Sequence, residues 1–390
     1  MTTALADLTD TLDLADLLSE EERMVQQTVR DFVHKEVSPY LPDWYADGHL
    51  PADLAPRLGA LGLLGMHLEG YGCAGMSATA YGLACLELEA ADSGLRSMVS
   101  VQGSLAMVAI HRYGSPEQRQ HYLPGMAAGE TIGCFGLTEP DAGSDPGSMT
   151  TRAERRGGDW VLDGRKMWIT NGGVAGVAVV WARTGDGVAG FLVPRGTPGF
   201  STADIPRKQS MRASTTSELI LDGCRLPDTA RLPLARGLSA PLSCLNEARY
   251  GILWGAMGAA RTCFTAALDY ARTRQQFGRP IGGFQLTQDK LVRMHVELEK
   301  GLLLAHHLGR VKDARGLRPE QVSFGKLNNT RAALAIAREA RTILGASGIT
   351  LDYPVMRHMA NLESVLTYEG TPEIHTLVLG HRLTGVPAYR

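Results

Sequence analysis

The sequence predicts an α+β fold that is mostly helical, with helices at both ends and a small antiparallel sheet between them. Two patterns predict it. Apolar residues recur at helical spacing up to about Gly133 and again from about residue 241. Between those points short strand-like runs are broken every few residues by Gly and Pro. The length agrees: 390 residues, 44% of them hydrophobic, suit two or three packed units or one large enzyme-sized fold. No repeat of about 20–50 residues is visible. The expected units are residues 1–133, 134–240 and 241–390.

The elements follow in order. Ser19-Glu20-Glu21-Glu22 places a capping Ser and acids at a helix start, and Met24, Val25, Val29, Phe32 and Val33 continue at helical spacing. Pro51 and Pro56 flank a further short helix. Ser77 to Ala91 carries few charges and reads as a buried helix. Ser115-Pro116-Glu117 opens another, with Ser as cap and Pro at the first position. In the middle unit, Asp159 to Thr170 reads as strand, Asp163-Gly164 turn, strand. Val177–Arg183 and Val188–Val193 bracket a second hairpin, and Leu219–Leu221 and Cys224–Leu226 extend the pattern. In the last unit Leu291, Met294, Leu298, Leu302, Ala305 and Leu308 trace one face of a long helix. Arg331 to Leu344 forms another, ending at Gly345.

Composition excludes several functions. The 39 Lys and Arg against 41 Asp and Glu leave a charge of −2, so there is no general basic face for nucleic acid. No apolar run approaches the roughly 18 residues of a membrane span. Met1 to Met24 is acidic and lacks an early basic residue, so neither a signal nor a transit peptide is expected. The six cysteines form no C-x-x-C pair and lack zinc-ligand spacing, which predicts reduced thiols, a cytoplasmic protein and no metal. Neither H-E-x-x-H nor G-x-S-x-G occurs. Gly70-Tyr71-Gly72-Cys73-Ala74-Gly75 spells G-x-G-x-x-G, with Glu87, Glu89 and Asp92 downstream. The alternating strands of a dinucleotide fold are missing, however, since Leu63–Leu68 is the only strand candidate nearby. A loop entering a helix describes it better.

Four segments carry the chemistry: Cys134 to Pro146, Lys166 to Asn171, Arg272 to Pro280 with Gln285, and Leu366 to Ile374. Together, and in this order, they resemble the acyl-CoA dehydrogenase flavoenzymes over nearly the whole chain. Asp92–Gln102, Gly133–Pro140, Cys244–Ile252 and Arg357–Glu363 resemble the glutaryl-CoA dehydrogenases within that family. The resemblance implies an N-terminal helical domain, a central antiparallel β domain and a C-terminal four-helix bundle. It also implies FAD, an acyl-CoA substrate, a homotetramer and electron-transfer flavoprotein as electron acceptor.

The resemblance also assigns roles. Glu369 is the implied catalytic base, which takes the α-proton while the β-hydride leaves to the flavin. Burial beside an acyl chain raises a carboxylate's pKa toward the useful range. The Glu369 amide and a flavin ribityl hydroxyl are the implied donors to the thioester oxygen. Taken alone, Glu369 also reads as a solvated acid in a turn. Phe135, Leu137, Thr138, Trp168, Ile169 and Thr170 are implied to hold the flavin ring, and Ser144 to touch both flavin phosphate and the CoA arm. Arg274, Phe277 and Gln285 are implied to reach a neighbouring subunit's FAD. Thr371 and Glu373 match further FAD contacts, and the Gly345–Gly348 turn is placed at the adenine half. Arg96, Ser97 and Ser100 match the substrate-carboxylate site of the glutaryl enzymes, with Glu89 holding the arginine. Tyr368 and Gly370 are further implied substrate contacts, and Arg249 matches a CoA contact. Taken alone, Arg96 also reads as a helix-end partner of Asp92 or Glu89.

The implied reaction is oxidation of glutaryl-CoA, loss of CO2 and reprotonation by Glu369 to crotonyl-CoA. Pro372-Glu373 stands where glutaryl enzymes usually have His-Asp, and Gly103, Glu247 and Asp141-Ala142-Gly143 also depart from that pattern. Dehydrogenation of another short or carboxylated chain without decarboxylation therefore stays open, on CoA or on a carrier protein. So does a non-redox flavin-binding thioester lyase of the same fold.

Overall fold

The computed structural model describes residues 10–388. The predicted absence of a targeting peptide rests partly on residues 1–9, which lie outside the described residues. Helix α1 (Glu20–Glu36) starts on a reciprocal cap. The Glu22 amide donates to Ser19 Oγ at 3.2 Å, and the Ser19 amide donates to the Glu22 carboxylate at 2.8 Å. Helices α2 (Leu41–Asp47) and α3 (Leu54–Ala60) follow. Pro56 lies inside the first turn of α3 rather than beyond its end, where its missing N–H leaves no helical bond unmade. Residues 63–68 form turns, not the strand candidate, because Gly62 and Gly65 adopt φ of 70° and 69° and curl the chain.

Helix α4 (Ala78–Ala91), capped by Ser77, is buried at every position but Ala90, which explains its scarcity of charge. Helix α5 (Ser93–Ser100) runs through a wide π-type stretch, Val101–Met107, into α6 (Val108–Tyr113). Helix α7 (Pro116–Ala127) is capped by Ser115, whose reciprocal partner is Gln118. The acids that the glycine pattern offered to a ribose are all engaged elsewhere. Glu87 binds Arg30 at 2.9 Å and Arg261 at 2.5 Å, Glu89 binds Arg96 at 2.6 Å, and Asp92 binds Arg357 at 2.8 Å.

The middle sheet comprises β1 (Gly133–Gly136), β2 (Arg152–Arg156), β3 (Asp159–Thr170), β4 (Val177–Thr184), β5 (Gly187–Pro194), β6 (Phe200–Asp204) and β7 (Thr216–Pro227). Its order is β1-β4-β2-β3-β7-β6, with β5 on β4. Pairing is antiparallel except that β1 and β2 run parallel to β4. Asp163-Gly164 does not turn the chain. β3 continues through it as a bulge, and Asp163 Oδ1 accepts the Gly223 amide of β7 at 2.8 Å. The hairpin turn lies earlier, at Gly157-Gly158 between β2 and β3.

Helix α8 (Ser239–Thr273) leads through a small hairpin, β8 (Gln275–Gln276) and β9 (Arg279–Pro280), to α9 (Gln285–Arg315). Then come α10 (Pro319–Leu344), α11 (Val355–Thr367) and α12 (Pro372–Thr384). The apolar stripe of α9 is turned inward at Met294, Leu298, Ala305 and Leu308. Helix α10 begins well before Arg331 because Lys326, Asn329 and Thr330, which interrupt the apolar pattern, lie on its buried face.

Side-chain alternation along β4 divides the core. Val177, Val179 and Trp181 pack with Leu105, Val108 and Ile110, whereas Ala178, Val180 and Ala182 pack with Phe191 and Leu219 on the other face. A third cluster joins α1, α4 and α5 to α8, α9, α10 and α11, so both helical ends of the chain share one core. That shared core brings α4 and α5 to the link between α11 and α12.

Candidate active site

The link Tyr368–Thr371 is built to stop one helix and start the next. Thr371 caps α12 by accepting the Ile374 amide at 3.3 Å, and Pro372 takes the first helical position. Between the helices Glu369 has φ 52° and Gly370 φ 103°. A non-glycine residue in the left-handed region costs about 1–2 kcal/mol and persists where its surroundings impose it. Here they do. Lys326 Nζ donates to the Tyr368 carbonyl and, at 2.7 Å, to that of Gly370. Arg249 Nε donates to the Glu369 carbonyl at 2.6 Å.

The Glu369 side chain is left free by these contacts. Its Oε2 is buried and has no hydrogen-bond partner among the described residues. Burial pushes its carboxyl above the ordinary value, and the opposing pull of Arg96, Lys326 and Arg249 does not cancel that. Below the link, His375 donates to or accepts from Ser323 Oγ at 3.0 Å. Burial, with Lys326 and Arg249 nearby, lowers it to about 3, so it is neutral.

Arg96 is wholly buried. Its Nε meets Glu89 Oε2 at 2.6 Å, and its Nη2 donates to the Tyr368 hydroxyl. Two cations, Arg96 and Lys326, each lie 5.7 Å from the centroid of the Tyr368 ring. Arg96 Nη1, Glu89 Oε1 and Ser100 Oγ are buried without partners. Unmet buried donors are costly, so a donor pair left open on one helix points to an acceptor from outside the chain. Asp92, the other partner considered for Arg96, instead caps α5 and binds Arg357.

Room for this pair comes from α8. A methyl group at Gly255 would lie 2.0 Å from Glu89 Oε2 and 3.2 Å from Arg96 Nε. Gly255→Ala is expected to displace the pair and cost about 1–3 kcal/mol. Thermal unfolding checks this, and an unchanged melting temperature would show that the pair has slack. Two departures from the glutaryl pattern also have local reasons. Gly103 abuts the Gly65 backbone, where a methyl group would meet its nitrogen at 2.8 Å. Glu247 is held by Arg112 at 2.5 Å and Lys312 at 2.7 Å.

The sheet presents a ledge beside this cluster. Trp168 is 58% exposed and has φ 63°, at a register shift between Lys166 and Ile169. The Met167 amide donates to the Thr138 carbonyl at 2.8 Å, so Thr138 sits against the same strand as Thr170. Phe135, Leu137 and Ile169 are buried behind it. Asn171 Nδ2 reaches the carbonyls of Met98 and Gly133, both at 3.4 Å, tying the ledge to the helix of Arg96.

Contacts in the chain thus join Glu89, Arg96, Tyr368, Glu369, Gly370 and Arg249 into one cluster. Arg249 grips the Glu369 carbonyl. Ser97 and Ser100 are buried on α5. Ser144 lies exposed in the loop after β1. Arg274, Phe277 and Gln285 stand on the exposed β8–β9 corner, Phe277 at 94% exposure, with no hydrogen bond or ion pair to the Glu369 cluster among the described residues. Gly345 caps α10, Gly348 is buried behind it, and Glu373 is exposed at the start of α12. Sequence reasoning missed Lys326 and the buried Lys166–Glu139 pair at 2.8 Å, which braces the segment bearing Thr138. The usable signal was a lysine on the apolar stripe Val322, Lys326, Ala333 and Ala337.

Three family models match the chain in succession. They are the acyl-CoA dehydrogenase N-terminal domain over residues 19–130, the middle domain over 134–224 and the C-terminal domain over 235–384. Glutaryl-CoA dehydrogenase from Mycobacterium smegmatis superposes with a TM-score of 0.97 at 66% identity, over 98% of this chain and 99% of that one. A second glutaryl-CoA dehydrogenase structure from that organism, in complex with FADH2, is 60% identical with a TM-score of 0.97, over the same shares. The mitochondrial short-chain specific acyl-CoA dehydrogenase of Homo sapiens is 37% identical over 374 residues, 94% of this chain and 91% of its own length.

Proposed function

From the premise that the chain belongs to the acyl-CoA dehydrogenase family, FAD-dependent oxidoreductases, we propose that it converts glutaryl-CoA to crotonyl-CoA and CO2. The observation that carries this reading is Arg96, a buried guanidinium with one free nitrogen beside a free Ser100 hydroxyl, on the helix adjoining Glu369. A plain acyl chain offers these donors nothing, whereas a distal carboxylate satisfies both.

The residues at the sheet suit a flavin. Trp168, half exposed with φ 63°, stands on the same strand as Thr170, and that strand also holds the Thr138 carbonyl, so on this reading an aromatic face and two hydroxyls serve the flavin ring. On this reading Phe135, Leu137 and Ile169 back the ring, and Ser144 serves the phosphate and the CoA arm. Arg274, Phe277 and Gln285, with the Gly345–Gly348 turn, Thr371 and Glu373, reach FAD shared with a neighbouring copy. The exposed Phe277 and Leu286 support a homotetramer. Electron-transfer flavoprotein is the proposed acceptor, and residues 1–133, 134–240 and 241–390 the proposed domains. Among the described residues no helix is long and apolar enough to cross a membrane.

Glu369 takes the α-proton. Bound FAD supplies the acceptor for the β-hydride. The Glu369 amide, which has no hydrogen-bond partner among the described residues, is available to the thioester oxygen as charge develops there. Arg96 and Ser100 hold the distal carboxylate. When that group leaves as CO2, its electron pair spreads to the thioester, and protonated Glu369 returns its proton to the γ-carbon. One carboxyl group serves as base and then acid, which its raised pKa favours.

Purified protein showing flavin absorbance is assayed with glutaryl-CoA and butyryl-CoA and a dye acceptor. Glutaryl-CoA is expected to be preferred, with crotonyl-CoA and CO2 in equal amounts. Glutaconyl-CoA without CO2 would reject the decarboxylation, and a preference for butyryl-CoA would favour a short-chain dehydrogenase. Pro372-Glu373 and the human short-chain relative support that second reading.

A further inference from the structure

Two buried cations hold three consecutive carbonyls around the base: Lys326 those of Tyr368 and Gly370, Arg249 that of Glu369. Lys326 is wholly buried on α10, and no carboxylate pairs with it among the described residues. Burying an unpaired ammonium is expensive, and an apolar side chain of the same length would fill the space more cheaply. What the lysine adds is two donors at one point and a charge.

The peptide unit is rigid and trans, so a carbonyl and the next N–H point opposite ways. Pinning the Tyr368 carbonyl on Lys326 therefore aims the Glu369 amide away from the lysine. Pinning the Gly370 carbonyl at the same point closes the turn in which Glu369 keeps φ 52°.

We propose that Lys326 is a positioning residue for the base: by holding the carbonyls on either side of Glu369, it fixes both the direction of the carboxylate and that of the amide. The proposal rests on Glu369 being the base. Lys326 acts on Glu369 through charge as well. The groups facing it are Glu369 and Tyr368 from the link, Arg249 from α8, Arg96 from α5 and His375 from α12. His375 is held neutral and Tyr368 is pushed above its ordinary value by burial, so neither changes charge in the working range. Burial lowers Lys326 itself to about 7, so it carries its charge on the acidic side of neutrality, where removing that charge raises the Glu369 pKa. Because the base must be ionised, the acidic limb of the kcat–pH profile then moves to higher pH.

The test compares flavin-loaded K326M, K326Q and E369Q with the wild type in the dye-linked assay. K326M is expected to lose roughly 100-fold in kcat with KM changed less than about threefold, the pattern of a misplaced catalytic group. K326Q, which keeps N–H donors but not the charge, is expected to lose less rate and to show the same displaced limb. A merely structural lysine would lower the melting temperature of both variants and leave the limb in place. That result, or wild-type kcat and limb in either folded variant, overturns the proposal. Should K326M not fold, K326Q decides by the same two readouts. Retained turnover in E369Q removes the base assignment itself, whereas an inactive E369Q beside a normal K326M removes only the lysine's role.

Discussion

Glu369→Gln is expected to abolish turnover, by about 10⁴-fold, while the protein keeps its flavin absorbance. Glutamine matches the carboxylate in shape but cannot take the α-proton. The link itself should persist, because Lys326 and Arg249 hold its backbone and not its side chain. The sign of the stability change is a separate check. The folded carboxyl titrates above its unfolded value, so its ionisation opposes folding as pH rises through that range. A neutral glutamine escapes this cost, and the variant is expected to melt no lower than wild type at alkaline pH. Retained turnover would reject the base, and a large drop in melting temperature would mean that the carboxylate is a structural partner of the three cations.

Arg96→Ala is expected to lower kcat/KM for glutaryl-CoA by about 10³-fold and for butyryl-CoA by less than about tenfold, because only the first substrate loses a charged hydrogen-bond partner. Equal losses on both would remove the carboxylate site. The variant also leaves Glu89 buried and unpaired, at a cost of about 3–5 kcal/mol. Arg96→Met combined with Glu89→Gln removes that charge and separates folding from selectivity. The double variant should fold, bind flavin and retain the bias against glutaryl-CoA.

Local signals carried a large part of this fold. Ser19 and Ser115 cap the helices they announce, the α9 stripe faces the core, and β4 and β5 form the hairpin their spacing implies. Each depends on neighbours a few residues away, which the sequence displays directly. Asp163-Gly164 misled for the opposite reason. An Asp-Gly pair suits a turn, but β7 pairs along the whole of β3, and there the pair makes a bulge instead. The Leu63–Leu68 run likewise had strand composition, yet Gly62 before it and Gly65 within it curl it into turns.

The same division holds at the site. The order of motifs identified the family, and the resemblance it carried proposed Glu369 as the base and paired Arg96 with Glu89, an ion pair the structure forms. The sequence alone could not place Lys326 under the Tyr368 and Gly370 carbonyls, show that Gly255 makes room for an ion pair on two other helices, or leave Arg96 Nη1 without a partner. Those facts arise where segments far apart in the chain meet in one core, and burial, not local propensity, sets the energy of each charge there.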